Sequence, residues 1–351
     1  MQVITGQKDF IESLRGKSAT FILALSYTKT SDIEGITQAG IPGYIYLTPT
    51  LDAEFLAVGE VRSMPKVAET PKGVPTPALI TRAVHQLKPF KNLEFLDLGL
   101  KTKPKLSHFK LYDFDLTPSG RIDKDANIDA KKLFKKGLNF AKKYKLQSDY
   151  LILAESTPSG TTTAEATAKA LGYKTEGLFS SSFKTAPSSI KQKMIKKALK
   201  NIKKSDSIWK RLSKVSDNML IFYAGFVFGM SKRCKVLLAG GTQMAALLLV
   251  VDAIKREKNK SLKSKNLALA TTKWVFEDKN SDIKQLLKQL SFDIDAYASG
   301  FDFSLASHSA LKLYDKGEAK EGVGAGAALV YGEINGVCKD EITKEVERFL
   351  V

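Results

Sequence analysis

Six short apolar runs, each closed by glycine, serine or threonine and most set apart by helical periodicity, leave this chain few architectures. They are Phe21–Tyr27, Leu93–Leu100, Tyr150–Glu155, Lys235–Ala239, Asn266–Thr271 and Ala296–Phe301. Apolar runs this short read as strands buried on both faces, and their alternation with helices predicts βαβ units around a parallel sheet of about six strands. The closing residues are Ser26, Gly99, Ser156, Gly240-Gly241, Thr271-Thr272 and Ser299-Gly300. Open α/β sheets bind ligands beyond the carboxyl ends of their strands, so this polar punctuation falls where a site would lie.

Helix starts are legible between the strands. Thr76-Pro77 sets a hydroxyl and a first-turn proline ahead of Ala78 to Leu87. Thr162-x-x-Glu165 has capping-box spacing before Ala166 to Leu171. Thr242 is placed to cap Gln243 to Ile254, which is apolar nearly all round and therefore reads as buried. Asp129 to Tyr144 and Ser188 to Lys204 read as amphipathic and dense in lysine, and Ser207 to Met230 as a stretch that begins charged and ends apolar.

The 351 residues are 43% hydrophobic, enough for one large α/β domain or a main domain with a small companion. A formal net charge of +18 raises nucleic acid or an anionic surface as a partner. The excess, however, is lysine at helical spacing without interleaved aromatics: Lys131-Lys132, Lys135-Lys136, Lys142-Lys143, Lys193, Lys196-Lys197 and Lys203-Lys204. That pattern reads as solvated helix faces, so nucleic acid is disfavoured. Cys234 and Cys338 stand alone, which gives neither a zinc set nor a disulfide framework. The first residues lack an apolar signal core, and the longest apolar stretch, Met219 to Met230, is too short to span a bilayer. A soluble cytoplasmic protein is expected.

Chemistry concentrates in two acidic, glycine-rich segments. In Lys320-Glu321-Gly322-Val323-Gly324-Ala325-Gly326 a carboxylate precedes three alternating glycines, which let backbone approach a ligand closely. In Ala154-Glu155-Ser156-Thr157-Pro158-Ser159-Gly160-Thr161-Thr162-Thr163 an acid again precedes a small-residue turn. Taken singly, Glu155 could cap its own turn and Glu321 could favour a helix dipole. Taken together, they predict a two-carboxylate site with proton-transfer chemistry. Gly160, Thr161, Thr162 and Thr163 suit a phosphate at a helix N-terminus, or form a plain capped turn. The Gly-Lys-Ser/Thr ending of a P-loop is missing. Gly240, Gly241 and Thr242 repeat the pattern, either as a second anion or ribose contact or as close helix–sheet packing. Asp97 and Asp302 are candidate ribose acceptors, or turn formers. His308 reads as a base or phosphate donor, or as a helix-surface histidine. No Gly-x-Ser-x-Gly elbow, His-Glu-x-x-His zinc motif or paired-acid magnesium–pyrophosphate motif is present, so no metal and no cofactor is implied.

With these segments assembled, the chain resembles the nicotinate-nucleotide–dimethylbenzimidazole phosphoribosyltransferases, in the divergent branch typified by archaeal homologues. The match is carried by Thr76-Pro-Ala-Leu-Ile-Thr-Arg82, Glu155 to Thr163, Gly240 to Ala246 and Lys320 to Gly326, in the family's order. The resemblance implies a Rossmann-like parallel sheet flanked by helices. It implies a main domain over 18–320, and a small second domain from the terminal elements 1–17 and 321–351. It also implies a homodimer that moves phosphoribose from nicotinate mononucleotide to a benzimidazole-type base. The products would be an α-ribotide phosphate and nicotinate, on the route to a cobamide lower ligand. On this resemblance Glu321 is the base and Glu155 an active-site acid, with Ser307, Gly322 and Gly324 as further candidate ribose or base contacts. The run from Gly300 to Glu321 is shorter than in the family's bacterial form, which leaves the acceptor base open along with contacts from Asp302 and Ser307. Two other readings stand beside it: a nucleotide-binding relative that keeps the fold without turnover, and a basic nucleic-acid-binding protein.

Overall fold

The computed structural model describes residues 1–185 and 188–350. Its centre is one eight-stranded sheet in the order β1-β8-β7-β6-β5-β2-β3-β4. The strands are β1 (Gln2–Thr5), β2 (Ala19–Leu25), β3 (Asn92–Asp97), β4 (Lys110–Asp113), β5 (Tyr150–Ser156), β6 (Lys235–Ala239), β7 (Leu267–Thr271) and β8 (Asp295–Ala298). All six expected strands are present. The two that escaped the sequence are both at edges. β4 (Lys-Leu-Tyr-Asp) is half exposed, and β1 is four residues long and pairs antiparallel to β8. Neither carries the two-faced apolar run of a buried strand.

Strand residues alternate between two cores. Ile22, Ala24, Leu96, Leu151, Leu153, Val236 and Leu238 face one layer. Phe21, Leu23, Leu25, Phe95, Ile152, Ala154, Leu237 and Ala239 face the other.

Thirteen α-helices lie among the described residues. The second layer is built by α1 (Asp9–Glu12), α2 (Thr48–Val58) and α3 (Ala78–Leu87), with the two C-terminal helices α12 (Ala325–Ile334) and α13 (Lys339–Arg348). Both terminal segments thus pack against the main sheet, β1 as its edge strand and α12 on β6 and β7. The first layer holds α4 (Ala130–Lys143), α5 (Gly160–Ala170), α7 (Ile208–Val215), α8 (Asn218–Met230), α9 (Thr242–Glu257) and α11 (Ile283–Leu287), with α6 (Ser188–Lys200) packed outside α5. The short α10 (Lys273–Phe276) follows β7.

Three helix starts differ from expectation. α5 begins at Gly160, two residues before the supposed Thr162 cap, because Ser159 takes a left-handed conformation (φ 63°) and turns the chain early. Glu165 therefore lies mid-helix and meets Gln192 and Lys191 instead of closing a box. Thr242 is the first residue of α9, and its hydroxyl accepts from the Ser180 N–H. The stretch from Ser207 to Met230 breaks at Ser216-Asp217, where Asp217 caps α8 through the Leu220 N–H. Among the described residues no helix is long and apolar enough to cross a membrane.

From β2 the chain steps outward to β3 and β4; from β5 it steps the opposite way through β6 and β7 to β8. The order reverses between β2 and β5, so the crevice of an open α/β sheet opens at the carboxyl end of β5.

Candidate functional site

β5 ends in Glu155-Ser156, and its alternation sends these two side chains to opposite layers. They open onto a cleft of about 930 Å³, mouth included. Its floor comes from Glu155 to Thr161, one wall from Gly241, Thr242 and Gln243, and the rear from Lys320 to Val323. The remaining wall mixes apolar Ala39, Ala68, Val74, Pro75 and Pro77 with polar Thr37, Thr48, Asp52, Glu69, Thr70 and Thr76.

The two glutamates are stitched together by backbone, since the Val323 N–H donates to the Glu155 carbonyl at 3.0 Å. Glycine is required in this loop. Gly324 has φ 70°, and a Cβ there would stand 2.6 Å from Ala154 Cβ and 2.9 Å from Phe21. Glu321 is held on both carboxylate oxygens. Oε1 accepts the N–H groups of Gly322 (3.2 Å) and Gly326 (3.1 Å), and Oε2 accepts Thr272 N–H (2.9 Å) and Thr271 Oγ1 (3.1 Å). Burial nevertheless pushes its pKa up to about 7, with those donors pulling the other way.

Burial also drives Glu155 up, to about 8, and the negative charges of Asp217, Glu321 and Asp52 add to it. The Thr157 hydroxyl is close enough to oppose the rise without meeting Glu155 in a well-formed hydrogen bond. A carboxyl with a pKa near neutrality can take or give a proton under working conditions.

Beside the acids lies a cradle of neutral donors. α5 and α9 present their N-termini to the cleft, packed so closely that a Cβ on Gly160 would fall 2.2 Å from Gln243. Thr157 Oγ1, Ser159 Oγ and Gln243 Nε2 are buried there without a protein partner. Buried polar groups are normally satisfied, so this cluster points to a ligand or water held there. The cleft lining has one basic residue among the described residues, Lys320, and its ammonium is taken up by Asp278 at 3.0 Å.

The candidates from sequence thus divide. Glu155, Glu321, Gly160, Thr161, Gly241, Thr242 and Gly322 line one cleft. Gly240, Gly324, Thr162 and Thr163 sit just behind it; Thr163 Oγ1 donates to Asp217 at 2.5 Å. Four candidates lie elsewhere. Asp97 forms its own turn, accepting the N–H groups of Gly99 and Leu100 at 3.0 Å. Asp302 is clamped between Lys273 and Lys339, which hold its carboxyl well below the usual range. Ser307 and the exposed His308 bond Glu347 near the C-terminus. Sequence reading missed Asp52, whose only signal is an acid inside the apolar helix Thr48–Val58. It also missed Ser180, Ser181 and Ser182, which line the rim in a segment without an apolar pattern.

No protein-family model matches the chain. A UPF0284 protein of Sulfurisphaera tokodaii is 37% identical over 350 residues, 99% of this chain and 96% of that one. The UPF0284 family is where this chain belongs. A second member, from Saccharolobus solfataricus, is 37% identical over 339 residues, 94% of this chain and 92% of its own. Solved structures extend the likeness at the level of fold. The nicotinate-nucleotide-dimethylbenzimidazole phosphoribosyltransferase of Thermus thermophilus superposes with a TM-score of 0.62, covering 95% of this chain and 83% of that one at 14% identity. A second structure, CobT from the same organism, gives 0.57 over 99% and 93% at 14% identity. This UPF0284 chain therefore has the CobT fold, in the archaeal branch of sequence.

Proposed function

We propose that the cleft transfers phosphoribose from nicotinate mononucleotide to a benzimidazole-type nitrogen base, releasing nicotinate. The observation that carries this reading is a charge mismatch. Asp52, Glu155 and Glu321 crowd one cleft whose single lining cation, among the described residues, is already paired. The acids answer positive charge at one point of the donor, the pyridinium nitrogen and the C1′ it is bonded to, while the donor's phosphate and carboxylate must be held elsewhere. The adjoining cradle of helix N-termini, Ser159, Thr157 and Gln243 suits the 5′-phosphate without a lysine or a metal.

In the reaction a ring nitrogen of the acceptor forms a bond to C1′ of the ribose. The bond from C1′ to the pyridinium nitrogen breaks, and its electron pair returns to the departing nicotinate. The transition state is oxocarbenium-like, so the buried carboxylates stabilise the sugar as positive charge builds on it. The acceptor's other ring nitrogen becomes acidic once the first is bonded, and its proton passes to the glutamate pair. Glu155 and Glu321 are coupled, so they act as one proton acceptor with pKa values near neutrality. Glu321 accepts the proton by exchanging one of its four donors; Glu155 needs no exchange.

The test is to incubate the purified chain with nicotinate mononucleotide and a panel of bases, scoring ribotide by mass spectrometry. Failure with every base removes this reading. The full occupation of the Glu321 carboxylate favours a second reading, a relative that binds the nucleotide without turnover. Binding of nicotinate mononucleotide with no nicotinate release in the presence of any base would favour it.

A further inference from the structure

Asp52 adds to the negative lining of the cleft but takes no part in the proton step described above. It sits mid-helix in α2, 3% exposed, in a helix whose residues from Thr48 to Ala57 are all buried. No lysine or arginine pairs with it among the described residues. Its oxygens take two hydroxyls, Thr76 Oγ1 at 2.7 Å on Oδ1 and Ser156 Oγ at 2.6 Å on Oδ2. Burying an aspartate without a cation is costly, and an apolar residue would suit the interior of a buried helix better. Glu54 in the same helix is also buried without a cation among the described residues, but the N–H groups of Arg62, Ser63 and Lys105 and the Ser63 hydroxyl answer it, whereas Asp52 has two hydroxyls alone.

What faces it is the cleft. Asp52 lines the same cavity as Glu155 and Glu321, along with apolar Ala39, Ala68, Val74, Pro75 and Pro77. Ser156, which it holds, follows Glu155 directly, so Asp52 stands one residue from the reacting end of β5. A carboxylate has about four lone-pair positions. At Glu321 all four are filled by the protein, whereas Asp52 uses two, one on each oxygen. A half-satisfied carboxylate beside small apolar side chains is a seat for a heterocycle that carries a hydrogen-bond donor on its rim.

Resting on the phosphoribosyltransferase reading of the same cleft, we propose that Asp52 selects the acceptor base. The acceptor is a fused nitrogen heterocycle bearing an N–H or O–H donor apart from the ring nitrogens that react. An acceptor with a methyl group at that point leaves the Asp52 lone pairs desolvated and unanswered, and sites built around a donor reject such analogues strongly. Asp52 is a specificity residue on this view and takes no proton in the transfer.

The test compares near-isosteric probes: 4- and 5-aminobenzimidazole against 4- and 5-methylbenzimidazole. Binding to the full chain is measured by calorimetry with nicotinate present to fill the neighbouring subsite, a readout independent of turnover. The wild type is expected to bind at least one amino compound about 10-fold or more tighter than its methyl counterpart. Asp52→Asn is expected to erase that ratio while keeping affinity for the methyl compounds. Because Asp52→Asn could disturb folding, Thr76→Val serves as a second variant. It removes one of the hydroxyls that position Asp52 and should shrink the ratio while Asp52 remains. Equal affinities in the wild type, absence of binding by all four probes, or a ratio untouched by Asp52→Asn in a folded protein would each overturn the proposal. The transferase assay run alongside reports separately on the reaction: binding selectivity without ribotide formation leaves Asp52's role standing and removes the activity.

Discussion

At the residue scale the site is a set of acids whose charge the fold suppresses. Glu155, Glu321 and Asp52 are raised to about 8, 7 and 6 by burial, from ordinary values near 4. A raised carboxyl binds more protons folded than unfolded, so its contribution to stability is present at low pH and lost as pH climbs through the folded pKa. The free protein is therefore expected to melt at progressively lower temperature between about pH 5 and pH 8. Glu155→Gln should flatten that slope while raising the melting temperature near pH 8. Melts that rise with pH through this window would contradict the burial argument. For catalysis, Glu155→Gln and Glu321→Gln are each expected to lower ribotide formation by about 100-fold or more, the usual weight of a positioned acid or base. Either variant at near wild-type rate would exclude that glutamate from the proton step. The two glutamates were readable in sequence because each precedes a run of small residues. Asp52 was not, since Asp52 and Glu54 two residues apart in a helix resemble solvated positions until the helix is seen buried on all sides. Asp97 and Asp302 show the converse: an acid at a strand end looks alike in sequence whether it faces a cleft, a turn or two lysines.

At the element scale, glycine sets how closely helices approach. α4 and α8 interlock through Gly137 and Gly225, where an added Cβ would fall 2.0 Å from the carbonyl oxygens of Phe222 and Phe134. Gly225→Val is expected to destabilise the chain by about 3 kcal/mol or more, read as a fall in the urea midpoint, because backbone cannot yield as a side chain can. An unchanged midpoint would mean that the two helices can part freely. A second element-level device is the rim at Ser180–Lys184. Lys320 Nζ reaches the Phe183 carbonyl at 2.7 Å and Asp278 at 3.0 Å, and Gln38 Nε2 bonds the Ser182 carbonyl at 2.5 Å. Lys320→Met should cost about 3–5 kcal/mol by stranding buried Asp278, with Lys320→Met/Asp278→Leu recovering part of the loss in the same denaturation assay. A double variant no better than the single one would show that the carbonyl bonds, not the ion pair, carry the energy. The strands were legible because doubly buried parallel strands are apolar along their whole length. The rim was not, because its order comes from residues more than a hundred positions away.

At the scale of the whole molecule, the +18 charge is spread over exposed lysines of α4 and α6, Lys131, Lys132, Lys135, Lys142, Lys193, Lys196 and Lys197 among them, and away from the acid-lined cleft. Binding to random-sequence duplex DNA is thus expected to be weak and to vanish at roughly 150 mM salt, as counterion release dictates for surface charge alone. Tight, salt-resistant binding in a filter or anisotropy assay would reopen the nucleic-acid reading. The architecture itself was legible from alternating strand and helix patterns. The reversal of strand order between β2 and β5 was not, because sequence patterns do not say on which side each new strand is laid. One further consequence follows from the backbone bond between Val323 and Glu155 and the clasp around Glu321. The first acid of the pair leaves the ribosome long before the second, and neither its neighbour nor the rear wall exists until residues 321–326 have been translated. Synthesis at about 5–20 residues per second leaves the β5 end uncovered for many seconds. The rear of the cleft is added late, so a nascent chain that stops short of Glu321 lacks it.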